Sequence, residues 1–264
     1  MDLITLIVMG ALAGVMAGLL GIGGGAIIVP VLAMVFESQG VAPDLVMKVA
    51  LGTSLATIIF TAISSTLAHH RRGAVDWSIV RKLAPVVVVA TLLGAVVADS
   101  LTNRTLKIIF ILFMFSIAIQ MARGTAAAKA RTQLPGMLGM NLAGGTIGIA
   151  SALFGIGGGS LVVPFLTWCS VHIKRAVATG AAIGVPVAIS GTIGYILTGW
   201  NAPDLPSGSV GYIVVPAFAG IVIASTLAAP LGAKLAHRMS AITLRRVFAV
   251  VLVGLGLRML WSIL

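Results

Sequence analysis

Eight long apolar segments dominate the chain and determine the solvent in which it folds. Of its 264 residues, 59% are hydrophobic and only 9% are charged, whereas soluble domains carry about 25% charged residues. A helix needs about 20 apolar residues to cross a bilayer. We therefore predict an all-α polytopic protein of the inner cell membrane, with segments at roughly 3–36, 46–68, 79–98, 105–122, 136–171, 176–199, 210–236 and 242–264.

The first and fifth segments are too long for one crossing, and each is interrupted by a glycine run of nearly the same sequence. Residues 21–25 read Gly-Ile-Gly-Gly-Gly, as do residues 155–159, and a proline follows each run at Pro30 and Pro164. Three glycines in succession disfavour a helix. We therefore expect each long segment to break at its glycines.

Other matches follow in the same order, which indicates an internal repeat. Lys48 to Ser54 corresponds to Lys174 to Gly180 at an offset of 126, and Thr105 to Phe110 corresponds to Thr243 to Phe248 at an offset of 138. We predict an N-terminal repeat over residues 1–122, a polar cytoplasmic linker over 123–135 and a C-terminal repeat over 136–264.

The charges of the loops favour a topology in which the glycine-broken segments turn back within the membrane. Basic residues concentrate in cytoplasmic loops. If the fifth segment enters and returns on one side, the four most basic loops all lie inside, while loops 37–48, 99–107 and 200–209 lie outside. The basic loops are 69–82, 123–135, 172–175 and 234–246.

This arrangement makes each half a re-entrant hairpin plus three transmembrane helices. Three crossings turn the second half upside down, which predicts an inverted repeat, a common architecture of secondary transporters. The alternative, eight plain crossings, remains open, and the expectation for the first segment rests on symmetry with the fifth.

The twin glycine turns are candidates for an anion-binding site. A broken helix exposes backbone N–H groups and a positive dipole end, and glycine lets a small anion approach them closely. The alternative is that the glycines only permit tight packing. The candidate substrate-binding residues at the turns are Gly23, Gly24, Gly25, Gly157, Gly158, Gly159 and Ser160.

Hydroxyl groups near the start of the following helices form a second group of candidates. Thr53, Ser54 and Thr179 can donate to an anion, or can instead bond back to the helix backbone four residues earlier. Asn141, on the approach to the second turn, is a further candidate. Lys48 and Lys174 could attract anions or simply anchor their helices at the interface.

Several functions are disfavoured by what the sequence lacks. The six carboxylates and four histidines all lie near predicted helix ends or loops, so the sequence offers no intramembrane acidic cation site and no catalytic constellation. Clustered metal ligands and a P-loop are also missing. We expect no enzyme activity, no cofactor and no metal. The net charge of +11 fits basic cytoplasmic loops rather than nucleic-acid binding.

The doubled motif resembles the TauE/SafE family of sulfite-exporter-like membrane permeases. The residues that carry the resemblance are 18–25 with Pro30, 152–159 with Pro164, and Gly52-Thr53-Ser54; it covers essentially the whole chain. The second half departs from the family pattern, because Gly180 follows Thr179 where a serine is usual. The resemblance implies transport of sulfite or small organosulfur anions.

The sequence therefore leads to one hypothesis and two alternatives. We expect a secondary transporter in the lipid bilayer that moves a small oxyanion by alternating access, with the anion between the two glycine turns. An anion channel, or a membrane assembly or receptor protein that transports nothing, would share much of this pattern. The sequence leaves open whether the chain forms a homodimer.

Overall fold

The computed structural model describes residue 15 and residues 25–123, 134–238 and 241–263, and this part of the chain is almost entirely helical. Its helices are α1 (Gly25–Ser38), α2 (Val46–Arg71), α3 (Trp77–Ser100), α4 (Asn103–Arg123), α5 (Met137–Phe154), α6 (Gly159–Trp168), α7 (Ile173–Gly199), α8 (Val215–Arg238) and α9 (Ala241–Trp261). Apart from residue 15, the first arm of the predicted hairpin 3–36, with Gly23 and Gly24, lies outside the described residues, as do the linker residues 124–133.

Five of these helices are long and apolar enough to cross a membrane: α2, α3, α4 up to Met121, α5 and α7. Shorter apolar helices are α1, α6 and the stretch Val215–Ser225 of α8. The prediction of an all-α polytopic membrane protein is confirmed at this level.

The predicted segment 136–171 is divided into α5 and α6 by the glycine turn. Gly155 ends α5 in the left-handed conformation, with φ 56° and ψ 34°, a region that glycine enters without steric cost. The N–H groups of Gly155 and Ile156 donate to the carbonyl oxygens of Ala152 and Ser151, which satisfies the end of the helix. The expected break is therefore present in this segment. The left-handed conformation at residue 155 explains why the glycine run begins with a glycine there.

The helix bundle has two ends, which we name by a residue at each. The Lys48 end holds the start of α2 and the end of α3, joined by Lys48 and Asp99. The Asp76 end holds the start of α3 and the start of α7, where the Asp76 N–H donates to the Thr179 hydroxyl.

The two arms on either side of the second glycine turn run in opposite directions. Helix α5 runs from the level of Leu83, near Gly144, to the level of Gly94, near Ala152, which is away from the Asp76 end. Helix α6 then passes from Gly184 to Gly180 of α7 and so returns toward the Asp76 end. The arms therefore form a hairpin that opens at one end of the bundle.

Small residues let the central helices approach closely. A Cβ atom added to Gly148 would lie 2.6 Å from the Cβ of Ala90, and one added to Gly194 would lie 2.7 Å from the Cβ of Ala95. Membrane helices pack through such small residues because lipid offers no hydrophobic drive for their association. The helices α3, α5 and α7 consequently form one tight layer around the glycine turn.

The region before α8 differs from the sequence prediction, which placed a continuous apolar segment at 210–236. The structure has two short antiparallel strands here, β1 (Ser209–Val210) and β2 (Ile213–Val214), and α8 begins at Val215. Gly208 and Gly211 both have positive φ angles, which favours tight turns over a helix. The apolar composition alone gave no sign of this hairpin.

The contrast between two neighbouring glycines of α5 tests this packing. Gly148→Ala would bring a methyl group within 2.8 Å of the Val87 carbonyl oxygen, while Gly145 has no heavy atom within 4 Å of its added Cβ. Overpacking of this kind costs about 1–3 kcal/mol. We expect Gly148→Ala to lower the unfolding temperature of the detergent-purified protein, and Gly145→Ala to leave it unchanged or raise it. Equal unfolding temperatures for the two variants would contradict the close approach of α3 and α5.

Candidate functional site

The start of α1 lies directly against the second glycine turn. A Cβ atom added to Gly25 would be 2.8 Å from the carbonyl oxygen of Gly155 and 2.9 Å from the Cα of Ile156. The side chain of Ile58 in α2 fills the space beside both Gly25 and Gly157, about 3.0 Å from the Cβ position of each. The structure therefore brings together Gly25 from the first glycine run and the turn of the second.

The helices that leave this junction run to opposite ends of the bundle. Helix α1 ends at the Lys48 end, where Glu37 pairs with Lys107, and α6 runs toward the Asp76 end. Both helix N-termini, which carry the positive ends of their dipoles, thus begin side by side within the bundle.

Part of the turn backbone is free to donate. The N–H groups of Ser160 and Leu161 donate to the carbonyl oxygens of Gly157 and Gly158. The N–H groups of Gly157 and Gly158 themselves donate to no acceptor within the described part of the chain. A Cβ atom on Gly158 would lie 3.2 Å from the backbone of α7 at Ile183 and Gly184, so a side chain at this position would press on α7.

Two hydroxyl groups from the two central helices fix the turn. Ser54 of α2 donates from Oγ to the Gly155 carbonyl oxygen at 2.8 Å, and its side chain is fully buried. Tyr195 of α7, also fully buried, donates from its hydroxyl to the Ala152 carbonyl oxygen at 3.0 Å. Tyr195 was not among the predicted site residues; a tyrosine inside an apolar helix was the only sequence signal that could have pointed to it.

Thr53 and Thr179 occupy equivalent positions in the two halves and make equivalent bonds. The Thr53 hydroxyl accepts from the Val214 N–H at 3.0 Å, just before α8. The Thr179 hydroxyl accepts from the Asp76 N–H at 3.0 Å, just before α3. Both threonines are 0% exposed. In the structure, neither hydroxyl bonds back to its own helix. Each threonine instead accepts a hydrogen bond from the other half, and its hydroxyl proton remains available to donate.

The remaining candidates are placed differently. Ser160 lies half-buried in the first turn of α6, beside Gly159. Asn141 is exposed near the start of α5, 14 residues before Gly155, which corresponds to about 21 Å along the helix. The structure therefore groups Ser160 with the turn but does not bring Asn141 to it.

A polar cluster closes over the bundle at the Lys48 end. The ammonium group of Lys48 donates to the backbone oxygen of Asp99 at 2.6 Å and to its Oδ1 at 3.0 Å. The Tyr212 hydroxyl donates to the same Oδ1 at 2.6 Å. Burial, followed by the hydrogen bond with Asp99, raises the pKa of the Tyr212 phenol well above its ordinary value, so Tyr212 stays a donor.

For Lys48, this cluster answers the question that the sequence left open. Lys48 neither faces an entrance as a free cation nor anchors its helix in lipid, because it is paired with Asp99. Lys174 is exposed at the Asp76 end. A group of three or more side chains of the kinds that hold metal ions does not occur among the described residues.

Replacing one hydroxyl tests the bridge between the halves. Thr53→Val keeps the shape of the side chain but leaves the buried N–H of Val214 without its acceptor, which costs about 1–3 kcal/mol. We expect a lower unfolding temperature for Thr53→Val, and a value close to that of the unmodified protein for Thr53→Ser, which retains the oxygen. If both variants unfold alike, the bond contributes little to the fold.

Comparison with known proteins agrees with these features. The sulfite exporter TauE/SafE family matches residues 6–259. A probable membrane transporter protein of Haemophilus influenzae is 37% identical over 253 residues, covering 96% of each chain. Another, from Methanocaldococcus jannaschii, is 30% identical over 256 residues, covering 97% of this chain and 94% of its own. No solved structure matches. The chain belongs to the sulfite exporter TauE/SafE family and is a membrane transporter.

Proposed function

We propose that the protein is a secondary transporter that carries a small oxyanion, such as sulfite or an organosulfonate, by alternating access. The observation that carries this proposal is the meeting of Gly25 with the turn at Gly155, which sets two helix N-termini against one another. An anion bound beside this junction would be stabilised by both dipoles and by backbone N–H groups.

The chemistry around the turns suits an oxyanion better than a cation. The N–H groups of Gly157 and Gly158 are without an acceptor among the described residues, and Thr53 and Thr179 each retain a hydroxyl proton. Every described carboxylate lies at a helix end or in a loop: Glu37, Asp44, Asp76, Asp99 and Asp204. A site built from donors without a nearby carboxylate favours a negative ligand.

An inverted repeat is part of the proposal, with repeats at 1–122 and 136–264. Two features support it: α1 and α6 leave the glycine junction toward opposite ends, and Thr53 and Thr179 each accept a hydrogen bond from the segment just before a helix of the other half, α8 for Thr53 and α3 for Thr179. Such reciprocity is expected when two copies are related by an axis in the membrane plane.

The proposed orientation places the Asp76 end in the cytoplasm. Arg71 ends α2 at this end and Arg72 follows it. Arg81 and Lys82 lie in the first turns of α3, and Lys174 and Arg175 lie in the first turn of α7. This concentration of cations follows the rule for cytoplasmic loops. The Lys48 end then faces the periplasmic side of the inner membrane.

Coupling can use the substrate itself. Sulfite gains and loses a proton near neutral pH, so a protonated form could be carried without a carboxylate relay in the helices. The proposal therefore includes proton-linked movement of the anion, in which the protein supplies donors and the substrate supplies the titrating group.

Gly158→Val tests the site. The added side chain would fill the space between the turn and α7, where a Cβ atom alone lies 3.2 Å from the Gly184 nitrogen. We expect sulfite uptake by proteoliposomes to fall to the level of protein-free liposomes, and sulfite to lose its stabilising effect on thermal unfolding. The matched control is Gly136→Ala, where the added Cβ has no neighbour within 4 Å. Unchanged uptake by a folded Gly158→Val protein would reject the site.

The same vesicles separate the alternatives. A carrier shows saturable flux that is accelerated by unlabelled anion on the opposite side, whereas an anion channel shows flux without this acceleration. A panel of sulfite, sulfate, thiosulfate and sulfonates that produces neither flux nor ligand-induced stabilisation would favour an assembly or receptor protein.

A further inference from the structure

The ion pairs of the described residues are confined to one end of the bundle. Lys48 pairs with Asp99, and Lys107 pairs with Glu37 while also donating to the Ser262 hydroxyl. Together they tie α1, α2, α3, α4 and the residues after α9 at the Lys48 end. The Asp76 end, among the described residues, has no ion pair.

The first of these pairs has a third member, because the Tyr212 hydroxyl donates to Asp99 Oδ1. The side chains of Lys48 and Asp99 are 14% and 34% exposed, and the Lys48 Nζ lies 5.6 Å from the centre of the Tyr212 ring. A half-buried charge that is paired and hydrogen-bonded is costly to separate, because either partner alone would be left poorly solvated. Opening this end of the bundle would therefore require breaking a charge-assisted hydrogen bond.

The backbone beneath the cluster is also closed. The Tyr212 N–H donates to the Tyr195 carbonyl oxygen at 3.1 Å, and Val214 is held by Thr53. A Cβ atom on Gly52 would be 2.7 Å from the Tyr212 carbonyl oxygen. The β1–β2 hairpin thus fills the space between α2 and α7 on the route from the Lys48 end to the glycine turn.

The equivalent positions at the Asp76 end do not repeat this arrangement. Lys174 corresponds to Lys48 at the offset of 126 and is exposed, and Ala74 corresponds to Tyr212 at the offset of 138. Every residue of α2 from 49 to 58 is buried, whereas from 59 to 71 only Ala62 is buried. Within the described part of the chain, α2 is therefore enclosed on the Lys48 side of Ile58 and more exposed on the Asp76 side.

We propose that Lys48, Asp99 and Tyr212 form a gate that closes the Lys48 end of the transport path. In the described conformation this gate is shut, and alternating access then requires the glycine turn to be reached from the Asp76 end. The inference rests on the proposed alternating-access function and adds to it the residues that control one of the two openings. Reopening toward the Lys48 end requires Asp99 to release both Lys48 and Tyr212.

The experiment measures access to the glycine turn without using a substrate. Cys169, the single cysteine, is replaced by alanine, and Ser54→Cys places one thiol against the turn. A membrane-impermeant maleimide is applied to vesicles sorted for either orientation, and the labelling rate is measured from each face. With the gate intact, we expect slow labelling from the Lys48 face and faster labelling from the Asp76 face.

Two gate variants are then introduced into this reporter. Asp99→Asn removes the charge that holds Lys48, and the milder Tyr212→Phe removes only the hydroxyl while keeping the ring. We expect labelling from the Lys48 face to rise by about tenfold for Asp99→Asn, because opening no longer breaks a charge-assisted hydrogen bond. Tyr212→Phe should produce a smaller rise, and neither should speed labelling from the Asp76 face.

Asp204→Asn is the matched control. Asp204 is exposed in the loop between α7 and β1, has a positive φ of 57° that asparagine tolerates, and forms no ion pair among the described residues. Like Asp99→Asn, the Asp204→Asn substitution removes one carboxylate charge at the Lys48 end of the bundle, and we expect no change in labelling. Equal labelling rates from the Lys48 face in all three folded variants would overturn the gate.

This outcome is separable from that of the transport assays. A rise in labelling without sulfite flux would support the gate and reject the proposed substrate. Flux with labelling that does not respond to Asp99→Asn or Tyr212→Phe would support the transporter and reject this gate.

Discussion

Backbone groups inside a bilayer must find hydrogen-bond partners within the protein, and the break at residues 155–158 depends on that requirement. The carbonyl oxygens of Ala152 and Gly155 accept hydrogen bonds from the hydroxyl groups of Tyr195 in α7 and Ser54 in α2. The turn can therefore exist at depth only because α2 and α7 flank it, and the donors left at Gly157 and Gly158 are held in place by the same contacts.

The hydrogen bonds that Thr53 and Thr179 accept make each half depend on the other. Each hydroxyl accepts from an N–H that lies just before a helix of the opposite half, so the segments that lead into α3 and α8 are each held by the other half. Each of these threonines therefore has a structural role in addition to the proton that it can offer to a ligand. A change at Thr53 or Thr179 consequently affects both the junction of the halves and the proposed site, which is why Thr53→Ser is the informative comparison for Thr53→Val.

The sequence predicted the membrane class and the break at the second glycine run, because apolar length and glycine runs act locally. It could not predict the partners of Lys48 or the role of Tyr195, since Asp99 and Tyr212 reach Lys48 only after the chain folds. The β1–β2 hairpin was missed for a related reason: its residues are as apolar as a helix, and its geometry depends on the positive φ angles of Gly208 and Gly211. Asn141 was selected by closeness in sequence, but the rise along α5 carries it away from the turn.

The distribution of charge links the fold to the proposed mechanism. Lys48 and Lys107 are neutralised by Asp99 and Glu37 where the bundle is closed, whereas the exposed Lys174 has no such partner among the described residues. The same basic residues that would fix the orientation in the membrane thus leave the Asp76 end positive and therefore attractive to anions. Because paired charges hold one end shut and unpaired charges line the other, the asymmetry between two similar halves can arise from the placement of a few side chains rather than from different folds.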